Sequence, residues 1–212
     1  MALFFSFVSG YVNGLGLLVL GDVFLSFMSG NSTRLGIQLA KGDMGAMFKY
    51  GSVLVAFIAG AFIGDLLVSV IKKERLLVIV GAEIILLCLT LLLLQSRPVS
   101  WVTFLPLTVA MGVQNHAQIT VKDTVLGKSY VSGQLFALGV ALSKACQGKQ
   151  YWSQSLICGL GWLFFIVGGS AGTLLVIAAG TTNAVLFLIA VLGGLLFWLF
   201  ALEFMESRVL AA

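Results

Sequence analysis

Two runs of this chain, Leu76–Leu94 and Val185–Leu202, are apolar almost throughout and do not alternate. Each is long enough to form a helix of about 20 residues, the length that crosses a hydrocarbon core of roughly 30 Å. Strands of a membrane barrel would alternate with a period of two over about ten residues. The chain as a whole is 60% hydrophobic and 9% charged, against roughly 25% charged residues in soluble domains. No soluble packing hides that much apolar surface. The sequence therefore predicts an all-α, polytopic membrane protein forming a single transmembrane domain over 1–212. The net charge of +4 sits in short connections, a membrane-surface pattern and not a nucleic-acid footprint.

Eight apolar segments follow one another, at about 2–20, 23–40, 50–71, 76–95, 101–119, 129–145, 154–178 and 183–203. Gly180-Thr181-Thr182-Asn183 is expected to turn between the last two. The N-terminus lacks a basic region followed by a small-residue cleavage site, so the first segment is expected to be retained.

The halves resemble each other, with repeat one at about 1–97 and repeat two at about 101–205. Gly10-Tyr11-Val12-Asn13 aligns with Gly112-Val113-Gln114-Asn115, and Ser29-Gly30-Asn31 with Ser132-Gly133-Gln134. Phe57-Ile58-Ala59-Gly60 aligns with Phe165-Ile166-Val167-Gly168. If all eight segments cross, the repeats are parallel and the basic residues divide five against six, which sets no orientation. If segments one and two form one discontinuous crossing, and five and six likewise, the repeats are inverted. Lys72, Lys73, Arg75, Lys144, Lys149 and Arg208 then face Lys41, Lys49 and Arg97. That bias puts both termini in the cytoplasm. The inverted arrangement, with broken or short helices in those segments, is the expectation.

Inside this apolar frame lies Phe27-Met28-Ser29-Gly30-Asn31-Ser32-Thr33-Arg34, echoed at Tyr130-Val131-Ser132-Gly133-Gln134. Polar groups at membrane depth must find protein partners or line a cavity. Repeat-built transporters place their sites where Gly-interrupted segments recur in both halves. The candidate substrate-binding residues are therefore Asn13, Ser29, Gly30, Asn31, Arg34, Gln114, Asn115, His116, Ser132, Gly133 and Gln134. Most are uncharged donors and acceptors, which suits a small polar solute. The competing interpretation is structural: small residues and amides also let helices pack closely and bond across one another. Arg34 is suited either to binding an anion in bidentate fashion or to snorkelling. His116 is suited to relaying protons, although a hydrogen-bonded structural role is the plainer one.

Asp65 and Glu83 lie nine residues either side of Glu74. At 1.5 Å per residue each is roughly 10–13 Å from that turn. They are the proton-coupling candidates, because carboxyls at such depth are costly. Glu83, flanked by Val80, Gly81, Ile84 and Ile85, is expected to be protonated unless paired. Cys88, Cys146 and Cys158 have no C-x-x-C spacing and read as small hydrophobes. No hydrolase, kinase or dinucleotide motif appears, so no enzymatic activity, catalytic residue, metal or cofactor is expected.

Ser9-Gly10-Tyr11-Val12-Asn13, Phe27-Met28-Ser29-Gly30-Asn31 and Met111-Gly112-Val113-Gln114-Asn115 resemble the signatures of the YoaK / DUF1275 family of bacterial inner-membrane proteins. The resemblance runs over nearly the whole chain. It implies a polytopic helical protein of the bacterial inner membrane, usually described as of unknown function and sometimes as a transporter. The family commonly has Asp where this chain has Asn13, and Thr in place of Ser29 and Ser132. The lost acid argues against proton coupling at position 13. The expectation is a small secondary transporter or facilitator for a small polar or anionic solute. The alternative is a structural or assembly membrane protein. Expected partners are the lipid bilayer and the solute, with no nucleic acid; self-association into a homo-oligomer is left open.

Overall fold

The structure, a computed structural model, describes residues 1–71, 74–117, 119–121, 124–126, 131–148 and 152–210. Lys72, Lys73, Lys122, Lys128, Tyr130 and Lys149 lie outside the described residues, as does the side chain of Arg208. The helices are α1 (Ala2–Leu20), α2 (Met28–Lys41), α3 (Met44–Val70), α4 (Arg75–Ser96), α5 (Leu105–Gln114), α6 (Val131–Gln147), α7 (Trp152–Ala179) and α8 (Thr181–Leu210). Short 3-10 turns, Trp101–Phe104 and Asn115–Ala117, flank α5. An antiparallel ladder, β1 (Ile119–Val121) against β2 (Thr124–Leu126), pairs Ile119 with Leu126. Among the described residues, five helices, α1, α3, α4, α7 and α8, are long and apolar enough to cross a membrane.

The boundaries follow from local chemistry. Asp43 caps α3, its Oδ1 accepting the Ala46 N–H at 3.0 Å, so that helix starts six residues before the apolar run suggests, at Met44 and not at 50. Gly21 ends α1 at φ 75°, a left-handed conformation that costs glycine little. Gly180 does the same at φ 85°, and α8 begins directly at Thr181. The turn there is one residue, not the four read from the sequence.

Segment one is a single unbroken helix, α1. Its glycines serve close approach instead. A Cβ on Gly168 would lie 2.1 Å from the carbonyl oxygen of Phe7, and one on Gly172 would lie 2.3 Å from that of Tyr11. Both chains advance four residues between these contacts, so α1 and α7 run parallel. The pair α3 and α5 repeats the arrangement. A Cβ on Gly60 would meet the Val109 carbonyl at 2.1 Å, and one on Gly64 would lie 3.1 Å from the Val113 Cα. Backbones this close gain dispersion contacts that larger residues would forbid. The lid of the core is α8, which brings Ala184, Val185, Leu188 and Leu192 against it, all buried.

The chain between α1 and α2 folds back on α1. Asp22 meets Lys49 and Tyr50 near the start of α3, while Ser26, four residues later, bonds to residues in the middle of α1. So α2 starts beside the middle of α1 and climbs back to the Gly42 turn. At 14 residues it is a short helix, as expected for that segment.

Candidate functional site

The site begins with one polar face of α1. Ser6, Ser9 and Asn13, spaced three and four residues apart, point the same way on a helix, and all are buried. Asn13 Oδ1 accepts the backbone N–H groups of Leu25 (3.2 Å) and Ser26 (2.9 Å), and its Nδ2 donates to Ser26 Oγ at 2.7 Å. Ser26 Oγ in turn donates to the Ser9 carbonyl at 3.4 Å. From α5, Gln114 Nε2 donates to Ser9 Oγ (2.9 Å) and to the Phe5 carbonyl (3.1 Å). From α6, Gln134 Nε2 donates to Ser6 Oγ at 3.5 Å. Asn13, Gln114 and Gln134, from three separate stretches of sequence, thus converge on one seam. Ser6, Ser9 and Ser26 belong to it and were not singled out from the sequence. For Ser6 and Ser9 the available signal was the three- and four-residue steps from Ser6 to Ser9 to Asn13; Ser26 carried none.

Beside the seam is a cavity of about 390 Å³. Gly10, Asn13, Gly14 and Leu17 of α1 form one wall, and Phe165, Ile166, Gly169 and Ser170 of α7 another. Phe24 and Phe27, which lead into α2, and Val131 and Ser132, which open α6, complete it. The two polar interruptions therefore meet here through their first residues. The cavity reaches the molecular surface past Ser132, Ile166 and Ser170, which are exposed.

The other candidates are placed differently. Asn31 is fully buried and fastens the loop, its Nδ2 donating to the Phe24 carbonyl (2.6 Å) and its Oδ1 accepting the Phe24 N–H (3.1 Å). Asn115 Nδ2 donates to the Met111 carbonyl at 3.1 Å. Neither asparagine borders this cavity. Ser29 is exposed, and Gly30 faces the Phe24 and Phe27 rings at 2.8 Å from its would-be Cβ. Gly133 lies in the first turn of α6. The Arg34 guanidinium stacks 5.7 Å from the Phe24 ring centroid and does not enter the cavity. His116 Nε2 lies 2.8 Å from the Ala61 carbonyl, to which it donates, and its ring fills the space left by Gly64. That is a structural histidine's position. Asp65 is exposed on the outer side of α3, whereas Glu83 is fully buried on α4. Equal depth does not give these two acids a common surrounding.

A second polar cluster fastens the end of α1. Asp22 accepts from Lys49 Nζ and, at 2.7 Å, from Tyr50 Oη. Burial pushes the Asp22 carboxyl up, but Lys49 and Tyr50 together, with Arg34 farther off, outweigh it and hold the net value below the ordinary one. A depressed carboxyl contributes stability above its unfolded value, about 3.9, and loses it as the pH falls through the folded one. Thermal unfolding of the wild type should therefore become more acid-sensitive than that of Asp22→Asn below about pH 4. Equal slopes for the two proteins there would remove the cluster from the account of acid stability.

These features define a polytopic helical membrane protein with a polar seam beside a cavity. The chain belongs to the family described as Protein of unknown function (DUF1275), whose model matches residues 1–198. It is 31% identical over 175 residues to the UPF0700 transmembrane protein RA0705 of Rhizobium meliloti (strain 1021), covering 82% of this chain and 74% of that protein. No solved structure matches it.

Proposed function

We propose that this protein is a small secondary transporter or facilitator, acting on a small polar or anionic solute at the bacterial inner membrane without altering it chemically. The observation that carries this proposal is the cavity where the starts of α2 and α6 meet the middle of α1 and the glycine face of α7. Short helices that begin at depth aim backbone N–H groups at their N-termini, and α2 has no side-chain cap there. Helix N-termini favour anionic or dipolar groups. Ser132 and Ser170 add hydroxyls to a lining that is otherwise mostly apolar. Asn13 lines the cavity, and its hydrogen bonds with those of Gln114 and Gln134 hold the wall that α1 forms.

An inverted repeat fits this proposal. Asp22, at the end of α1, contacts Lys49 and Tyr50 near the start of α3, so α3 runs against α1. Since α5 is parallel to α3, the first helices of the two halves run in opposite directions. The alternative, an assembly or structural protein, draws support from the internal hydrogen bonds that occupy Asn13 in the seam and Asn31 at the loop before α2.

One experiment separates the two. Thermal unfolding of the purified protein is measured against a panel of small amino acids, carboxylates and polyols. A ligand raises stability by RT ln(1 + [L]/Kd), about 2.7 kcal/mol at one hundred times Kd. Transport predicts a responding solute whose effect disappears in Ser132→Phe and Ser170→Phe, which fill the cavity and leave the seam intact. A response that survives both substitutions rejects the cavity as the site.

A further inference from the structure

Glu83 is fully buried, and neither of its carboxyl oxygens has a hydrogen-bond partner among the described residues. It lies in the stripe Ile79, Val80, Glu83, Leu87, Thr90 that α4 turns inward, and that helix packs mainly on α5 and α8. We infer that Glu83 is a proton-binding site, reached from water through a crevice between the start of α4 and the end of α8. The inference relies on the transport proposal only in taking this proton as the coupled ion.

The surroundings decide the ligand. From Trp101 through Gln114 the chain carries no titratable or charged side chain. Within the described side chains of α8 the only such group is Glu203. On α3, Asp65 is exposed, and Lys49 and Tyr50 are engaged with Asp22. His116 donates to Ala61, and the Arg75 guanidinium donates to the His116 carbonyl at 2.6 Å. Cys88, also on α4, is exposed. No described cation is therefore positioned to pair with Glu83. An isolated buried carboxylate is very costly, and a proton removes the charge while needing no additional room. The step is simple: the carboxylate takes one proton from water to become a carboxylic acid, and returns it.

The entrance is a crevice of about 410 Å³ bounded by Glu74, Arg75, Leu76 and Leu77 on one side and Leu199, Leu202 and Glu203 on the other, and the buried Ile79 and Val80 lie between it and Glu83. Leu76, Val80, Glu83 and Leu87 are spaced four, three and four residues apart and share a face of α4. The crevice thus opens onto the face that carries Glu83, roughly 10 Å from Leu76 along the helix. Charged groups at its mouth keep that end wet.

Infrared difference spectroscopy of the protein in lipid vesicles tests this, comparing wild type with Glu83→Gln. At neutral pH the wild type should show a protonated-carboxyl C=O band that the variant lacks. That band should shift in D2O and disappear reversibly as the pH is raised with the fold intact. Absence of the band at neutral pH overturns the inference, and so does a band indifferent to D2O and pH, which would mark a sealed structural acid. If Glu83→Gln does not fold, the wild type is treated with dicyclohexylcarbodiimide. The carboxyl O–H adds across the C=N bond and rearranges to an acylurea with no leaving group. Mass spectrometry should find Glu83 modified at neutral pH, with modification lost at high pH; an unmodified Glu83 overturns the inference. A silent Glu83 leaves solute stabilisation untouched, and failure of the cavity test leaves the Glu83 band untouched, so the two proposals fail separately.

Discussion

Asn13→Leu should lower the stability of the protein in detergent by about 3–6 kcal/mol. The substitution deprives the Leu25 and Ser26 N–H groups of their shared acceptor, and Ser26 Oγ of a donor. Each buried orphan costs about 1–3 kcal/mol, and leucine's similar volume offers no relief. Asn13→Asp keeps the acceptor for both N–H groups and should lie much closer to the wild type. Thermal or denaturant unfolding, read from the same preparation, measures both. Equal losses for Leu and Asp would mean that packing, and not the hydrogen bonds, holds the loop.

The second large effect is expected at Gly168. A Cβ there sits 2.1 Å from the Phe7 carbonyl oxygen, and the obstacle is backbone, which no rotamer change removes. Gly168→Ala must push α1 and α7 apart, at a cost of about 1–3 kcal/mol. Gly168→Leu should prevent the two helices from packing, and the protein should lose its monodisperse elution in size-exclusion chromatography. Gly36→Leu is the control, because nothing lies within 4 Å of a Cβ at that position. Similar behaviour of the two leucine variants would remove close backbone contact as the reason for the glycines.

The helices were legible because long apolar runs interrupted by a few charged or glycine-rich turns leave little choice of register in depth. What depth does not give is rotation. The helix α4 is apolar nearly all round, so nothing in its sequence says that Glu83 turns inward with Ile79 and Leu87. The same holds for Asp65 on α3, which turns outward. The glycines of α1 were ambiguous for a related reason. Gly10 and Gly14 permit either a break or a close neighbour, and only the presence of α7 decides between them. The seam was half legible. Amides such as Gln114 and Gln134 stand out in an apolar segment, whereas Ser6, Ser9 and Ser26 look like ordinary small packing residues until Gln114 and Asn13 are seen to bond to them or their neighbours.

The exchange of partners between halves has a consequence for biosynthesis. The glycine face of α1 is completed only by α7, whose first residue, Trp152, is made 150 residues after Ala2. At about 5–20 residues per second, α1 waits roughly 8–30 s in the membrane for its neighbour. For most of that interval Ser9 has no Gln114, and Ser6 has no Gln134. The returning loop with Ser26 is made at once and shelters Asn13 early. An N-terminal fragment ending before α5 is therefore an unfinished object in lipid, with half of its polar face unmatched. Its survival until the second half arrives depends on whatever holds nascent helices at the site of insertion.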